Sequence, residues 1–184
     1  MTDIQLTALG ITVQRENHAY LDLGFVPDVT EFTKQVYKMW MGSEEGIEKE
    51  LEKYRHEKPG ARVMSLTLDN NTIWIAFYQY SASNITNLYR LGHEQAHVLH
   101  AIGQIYLLQE KLEQKGLDIE LSGYEHFEKC SHDEKELVAD IGAFYVLGKY
   151  GVDVLKLPSE QNSQLISANL AWYQNALRNS RITA

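Results

Sequence analysis

Arg90-Leu91-Gly92-His93-Glu94-Gln95-Ala96-His97 places two histidines four positions apart, with a glutamate directly after the first. On an α-helix, residues i and i+4 stand one turn apart on the same face. The flanking pattern predicts that helix. Ile85, Leu88, Tyr89, Gly92, Ala96 and Leu99 trace an apolar stripe, and His93 and His97 fall along it. Two imidazoles so placed can reach one metal ion at ~2.0–2.1 Å. Glu94 lies about 100° around the helix from His93, beside such an ion rather than on it, where it can take a proton from water. The plainer reading, two hydrogen-bonded core histidines, leaves Glu94 without a duty.

A catalytic zinc site usually has three protein ligands and one open position. A glycine three residues after the second histidine and a further histidine three beyond would supply the third, but His100 and Gly103 occupy those places. Downstream, Glu136-Leu137-Val138-Ala139-Asp140 offers two carboxylates at i and i+4, on a face that continues through Ala143, Phe144 and Leu147. Buried unpaired, such carboxylates are costly. Glu136 on a metal, with Asp140 accepting from the other ring nitrogen of a ligand histidine, removes that cost. The alternative puts Glu136 at the exposed edge of its helix. Cys130 and His132, just before this helix, are further candidate ligands, Cys130 being more simply an idle thiol.

Working outward, residues 4–13 and 18–25 read as two short β segments, and 29–41 as a helix on Val29, Phe32, Val36 and Trp40. Residues 44–57 read as a charged surface helix. After Pro59-Gly60, an alternating stretch from Val63 to Leu68, the turn signal Asp69-Asn70-Asn71 and the β-rich run Thr72–Tyr80 predict a hairpin. The run Thr72–Tyr80 is a candidate sheet edge on which an extended peptide could pair, or else an interior strand. A helix capped at Ser83 or Asn84 runs to about Ala101, with continuation past Gly103 possible. Residues 104–115 are helical in pattern, 116–131 a loop, 133–149 a strong helix stopping near Gly151, and 160–178 a last helix. The order is α+β, with helices dominant in the second half.

A β-hairpin (Thr72-Ile73-Trp74-Ile75-Ala76), then Arg90 ahead of H-E-x-x-H, then Glu136 to Asp140 with Ala143-Phe144-Tyr145, resembles the gluzincin group of zinc metallopeptidases. Within it, the likeness is greatest to the ImmA/IrrE type, over roughly residues 60–150. Gln95-Ala96 stand where Leu-Gly is more usual, and Asp140 where that type more often has Asn. The resemblance implies a single metallopeptidase-like domain over residues 1–184. It implies a short antiparallel or mixed sheet packed on the H-E-x-x-H helix and on a helix bearing the glutamate ligand. It further implies zinc held by His93, His97 and Glu136, Glu94 as general base, and Asp140 behind a ligand. The implied substrate is a peptide or protein, a DNA-binding repressor being the usual one for that type. Tyr145, His132 and Tyr124 are candidates for stabilising the developing oxyanion. A non-hydrolytic regulatory or partner-binding domain that keeps a zinc site is the competing reading.

Composition bounds these readings. The chain has 184 residues, 44% hydrophobic and 23% charged, a globular mix. A formal net charge of −8 argues against sequence-independent nucleic-acid binding and against docking on anionic membranes. It would suit a basic protein target. One cysteine permits no internal disulfide, and the chain opens without a signal-peptide pattern; a cytoplasmic home is expected. His18, His56 and His126 belong to no constellation.

Overall fold

The computed structural model describes residues 3–41, 60–158 and 164–182. The charged segment expected as a helix over 44–57, with His56, lies outside them. The chain folds as α+β. Strands β1 (Asp3–Leu6), β2 (Ile11–Gln14) and β3 (His18–Val26) precede helix α1 (Val29–Met41). Strands β4 (Ala61–Leu68) and β5 (Asn71–Gln79) follow, then α2 (Asn84–Ala101), α3 (Tyr106–Glu113), α4 (His132–Lys149) and α5 (Gln164–Ile182).

The hairpin β4–β5 forms as its turn chemistry predicts. Asp69 and Asn70 both take positive φ, at 47° and 64°, and Leu68 pairs with Asn71 across them. This is the left-handed two-residue turn that matches strand twist, and Asp and Asn tolerate it best after glycine. The sheet gains a third strand, giving the order β3-β5-β4 with β3 parallel to β5. Thr72–Tyr80 is therefore an interior strand, and the candidate edge moves to β4 and β3. Residues 4–13 are likewise not one strand. Thr7–Gly10 turn the chain back, and β1 pairs antiparallel with β2 in a sheet of their own.

Each face of the three-stranded sheet has its own partner, as alternation in a strand requires. Ile75, Phe77, Met64 and Leu66 pack on Val29 and Val36 of α1, with Phe32 edge-on to Phe77 at 5.0 Å. Trp74 and Val63 pack on the larger core, built from the β1–β2 hairpin and α2 to α5. The loop 116–131 threads Leu117, Ile119 and Leu121 into that core ahead of two short 3-10 turns. Gly103, at φ 70°, stops α2, so the chain bends before α3 rather than continuing.

Helices α2 and α4 meet through small residues. A Cβ on Gly92 would stand 2.8 Å from the Cα of Ala143 and 2.9 Å from Val146, and one on Gly142 would collide with the Cβ of Ala96. The capping box of α4, Ser131 with Glu134, sets where that helix begins.

Replacing Gly92 by valine should lower stability by about 2–3 kcal/mol, since overpacking against backbone cannot relax cheaply. Gly148→Val, on the exposed side of α4 where a Cβ meets nothing within 4 Å, carries the same change in helix propensity and should cost under about 1 kcal/mol. Urea denaturation of the two variants measures the difference; equal losses would mean the α2–α4 contact is not the tight one.

Candidate metal centre

The apolar stripe of α2 turns His93 and His97 toward α4, and the close helix contact brings Glu136 up to them. His93 Nε2 and His97 Nε2 are 3.1 Å apart. Glu136 Oε2 lies 3.3 Å from His93 Nε2, and Oε1 lies 3.3 Å from His97 Nε2. Two donors each ~2.0–2.1 Å from a tetrahedral ion stand about 3.3–3.4 Å apart. The three side chains thus present their donor atoms at the mutual spacing a small tetrahedral ion demands. They form the only such group of three or more among the described residues. Side-chain exposures of 15%, 16% and 25% for His93, His97 and Glu136 leave one side open to solvent. The donors fit a metal ion.

Behind the ligands stands Asp140, 1% exposed. It accepts from His93 Nδ1 at 3.0 Å, from the Tyr89 hydroxyl, and from Asn169 Nδ2 at 2.7 Å. The bond to Nδ1 leaves the Nε2 lone pair for a metal. A carboxylate buried without such donors costs on the order of several kcal/mol. Asn169 of α5 and Tyr89 of α2 were not singled out in the sequence. Tyr89 lay on the stripe as an apolar residue, and Asn169 had no pattern to mark it. Tyr89 also stacks on His93, ring centroids 5.6 Å apart.

Glu94 is 7% exposed. Burial pushes its carboxyl up, with the Glu136 charge, against the pull of His93, His97 and a backbone hydrogen bond from Val63. Gly60 O accepts from Gln79 N, so alternate residues of β4 bond to β5, and Val63 and Ser65 direct their backbone groups away from it. Gln95 has another task. Its Oε1 accepts from Ala8 N at 2.9 Å and Leu9 N at 3.3 Å, tying the β1–β2 turn to α2.

The three oxyanion candidates separate. His132, one turn before Glu136, puts Nδ1 4.0 Å from Glu136 Oε1 and is 82% exposed. Tyr145 is nine residues past Glu136, half a turn out of phase, and lines a different cavity. Tyr124 enters through its backbone: its carbonyl accepts from His100 Nε2 at 2.6 Å, so His100 pins the loop instead of joining the donors. Cys130 Sγ is 3.8 Å from that same His100 nitrogen and is not among the converging donors. Comparison with known protein families, curated proteins and solved structures finds no match to this chain.

Burial disfavours charge on His93, but hydrogen bonds with Asp140 and Glu136 outweigh it and push its pKa up to about 10. Glu136 is desolvated as well, yet the hydrogen bonds from the two histidines hold it well below the usual carboxylate range. Without an ion, a proton on His93 therefore bridges the site. An ion must displace it, because ligation needs the Nε2 lone pair. Metal affinity should then rise about tenfold per pH unit above neutrality and level off near pH 10. Calorimetric zinc titrations at pH 7.5, in buffers of different ionisation enthalpy, should show about one proton released per ion. No release would contradict the assignment of His93. Asn169→Leu and Tyr89→Phe should each weaken zinc binding about 10–100-fold with all three ligands intact; chelator competition measures this.

Proposed function

We propose that this chain is a zinc-dependent peptidase with a zincin-like arrangement, cleaving a peptide bond in a protein substrate. What carries the reading is the convergence of His93, His97 and Glu136 at 3.1–3.3 Å with buried Glu94 beside them. His93, His97 and Glu136 would hold the ion. Bound there, zinc would supply Lewis-acid polarisation of a carbonyl and acidify water at its open position. Two imidazoles and a carboxylate also accept Mn²⁺ or Co²⁺; zinc is proposed because this donor set is the usual one of catalytic zinc sites.

Glu94 is suited to carry the proton. Its raised affinity for protons, from burial, moves it toward the pH at which it would work, where a base can also serve as an acid. It takes one proton as water adds to the scissile carbonyl and gives it to the departing amine as the C–N bond breaks. The Val63 N–H steadies the carboxylate in the charged form. His132, one turn from Glu136 with Nδ1 4.0 Å from its Oε1, would be the donor to the oxyanion in this reading.

Strand β4 is the sheet edge on the Glu94 side, so an extended substrate would pair by strand addition with Ser65 and with the carbonyl of Val63, whose N–H is held by Glu94. The net charge of −8 suits a basic substrate, and a DNA-binding repressor is the candidate that the ImmA/IrrE resemblance brings. No described helix is long and apolar enough to cross a membrane. A cytoplasmic site of action belongs to this proposal, on the evidence of the single cysteine.

Purified protein should contain about one zinc, lost in His97→Ala and in Glu136→Ala. Glu94→Gln should keep the zinc and lose at least about 10²-fold in hydrolysis of a fluorogenic peptide library. Equal cleavage by wild type and Glu94→Gln would overturn the role of Glu94. Zinc kept by Glu94→Gln, with an unimpaired cellular function, would favour the non-hydrolytic zinc domain instead.

A further inference from the structure

A cavity of about 380 Å³ opens between the end of α4, the turn after it, the chain around Lys115 and α5. Tyr145 and Tyr173 line it, 7% and 2% exposed. Neither phenol has a protein hydrogen-bond partner among the described residues, and neither oxygen is sealed off from solvent, so both are free to donate to a guest in the cavity. Burial, with the neighbouring Tyr145 oxygen, pushes the Tyr173 hydroxyl up, so it stays a donor at any working pH.

The charge around them is one-sided. Lys115 and Lys149 line the cavity; Lys149 donates to the carbonyls of Thr7 and Ala8, which hold it without cancelling its charge, and burial, with Lys111 nearby, lowers its affinity for its proton. Asp153, the acidic residue of the lining, is occupied by Lys156 at 3.2 Å and by the Leu155 N–H at 3.2 Å. Leu117, Val152, Val154 and Leu177 supply the rest of the wall. The volume lies within the range of small-molecule sites, which combine apolar walls with a few convergent polar groups.

We propose that this cavity binds a small amphipathic carboxylate, its anionic end among Tyr145, Tyr173 and the lysines and its apolar body against Leu117 and Val152. The two phenols donate to the carboxylate, and the ammonium groups balance its charge. The inference is independent of the metal centre, which lies on the opposite face of α4.

Octanoate is the probe, titrated into the ¹⁵N-labelled full chain, with octylamine as the same chain length bearing the opposite charge. Octanoate should give saturable shifts at the backbone amides of Lys115, Gly151 and Val152. The Tyr145→Phe/Tyr173→Phe variant, which keeps both rings and should keep the thermal transition, should bind at least tenfold more weakly. Octylamine should not saturate these shifts. The proposal fails if octanoate gives no saturable shift there at millimolar concentration. It also fails if the double variant binds as wild type does, or if octylamine binds as tightly as octanoate.

Discussion

A Cβ on Gly92 would sit 2.8 Å from the Ala143 backbone, and one on Gly142 would strike Ala96, so α2 and α4 touch nearly backbone to backbone. Everything at the candidate centre depends on that distance. An imidazole and a glutamate are short side chains on separate helices. They reach within 3.3 Å of each other only because nothing larger holds the axes apart. A bulkier pair at these positions would leave the same three residues pointing at one another across a gap. The residue types between and beside the ligands are therefore as much part of the site as the ligands.

The close contact creates an electrostatic problem, and the arrangement around Asp140 answers it. Glu94, Glu136 and Asp140 bring three carboxyl groups into one partly desolvated volume. Asp140 is satisfied by three donors from α2 and α5, which lets it stay buried and hold His93 in one ring orientation. Glu136 is balanced by both histidines. Glu94 alone lacks a full complement of partners, and its affinity for protons rises accordingly. That is the condition the proposed general base would need, since a group left partly unsatisfied exchanges a proton more readily than one fully paired.

Much of this was legible where the signal is local. The i, i+4 spacing of His93 and His97, and of Glu136 and Asp140, is a property of one helix turn, and so was readable from the chain. The hairpin announced itself through Asp69-Asn70, whose side chains tolerate the left-handed backbone the turn requires. Most of the misses are non-local. Nothing in residues 18–26 says that they add parallel to β5, which alone converts β5 from edge to interior. Asn169 meets Asp140 across 29 positions. Tyr145 looked like a site residue because it shares a helix with Glu136, but nine residues of helix turn it to the opposite side. The break inside residues 4–13 was hidden because Thr7-Ala8-Leu9-Gly10 is short and half apolar, and its turn is held from outside by Gln95.

That last contact gives Gln95-Ala96, inside the H-E-x-x-H stretch, a structural task. Gln95 is fully buried and spends its carbonyl on the two N–H groups of the β1–β2 turn, while Lys149 of α4 donates to the carbonyl of Ala8 at 2.8 Å from the other side. The first strands are thus latched to both helices of the candidate centre, at a position one residue from Glu94. Ala96 fits because Gly142 faces it across the helix contact. The small pair keeps the helices close, and Gln95 beside it is free to anchor the hairpin.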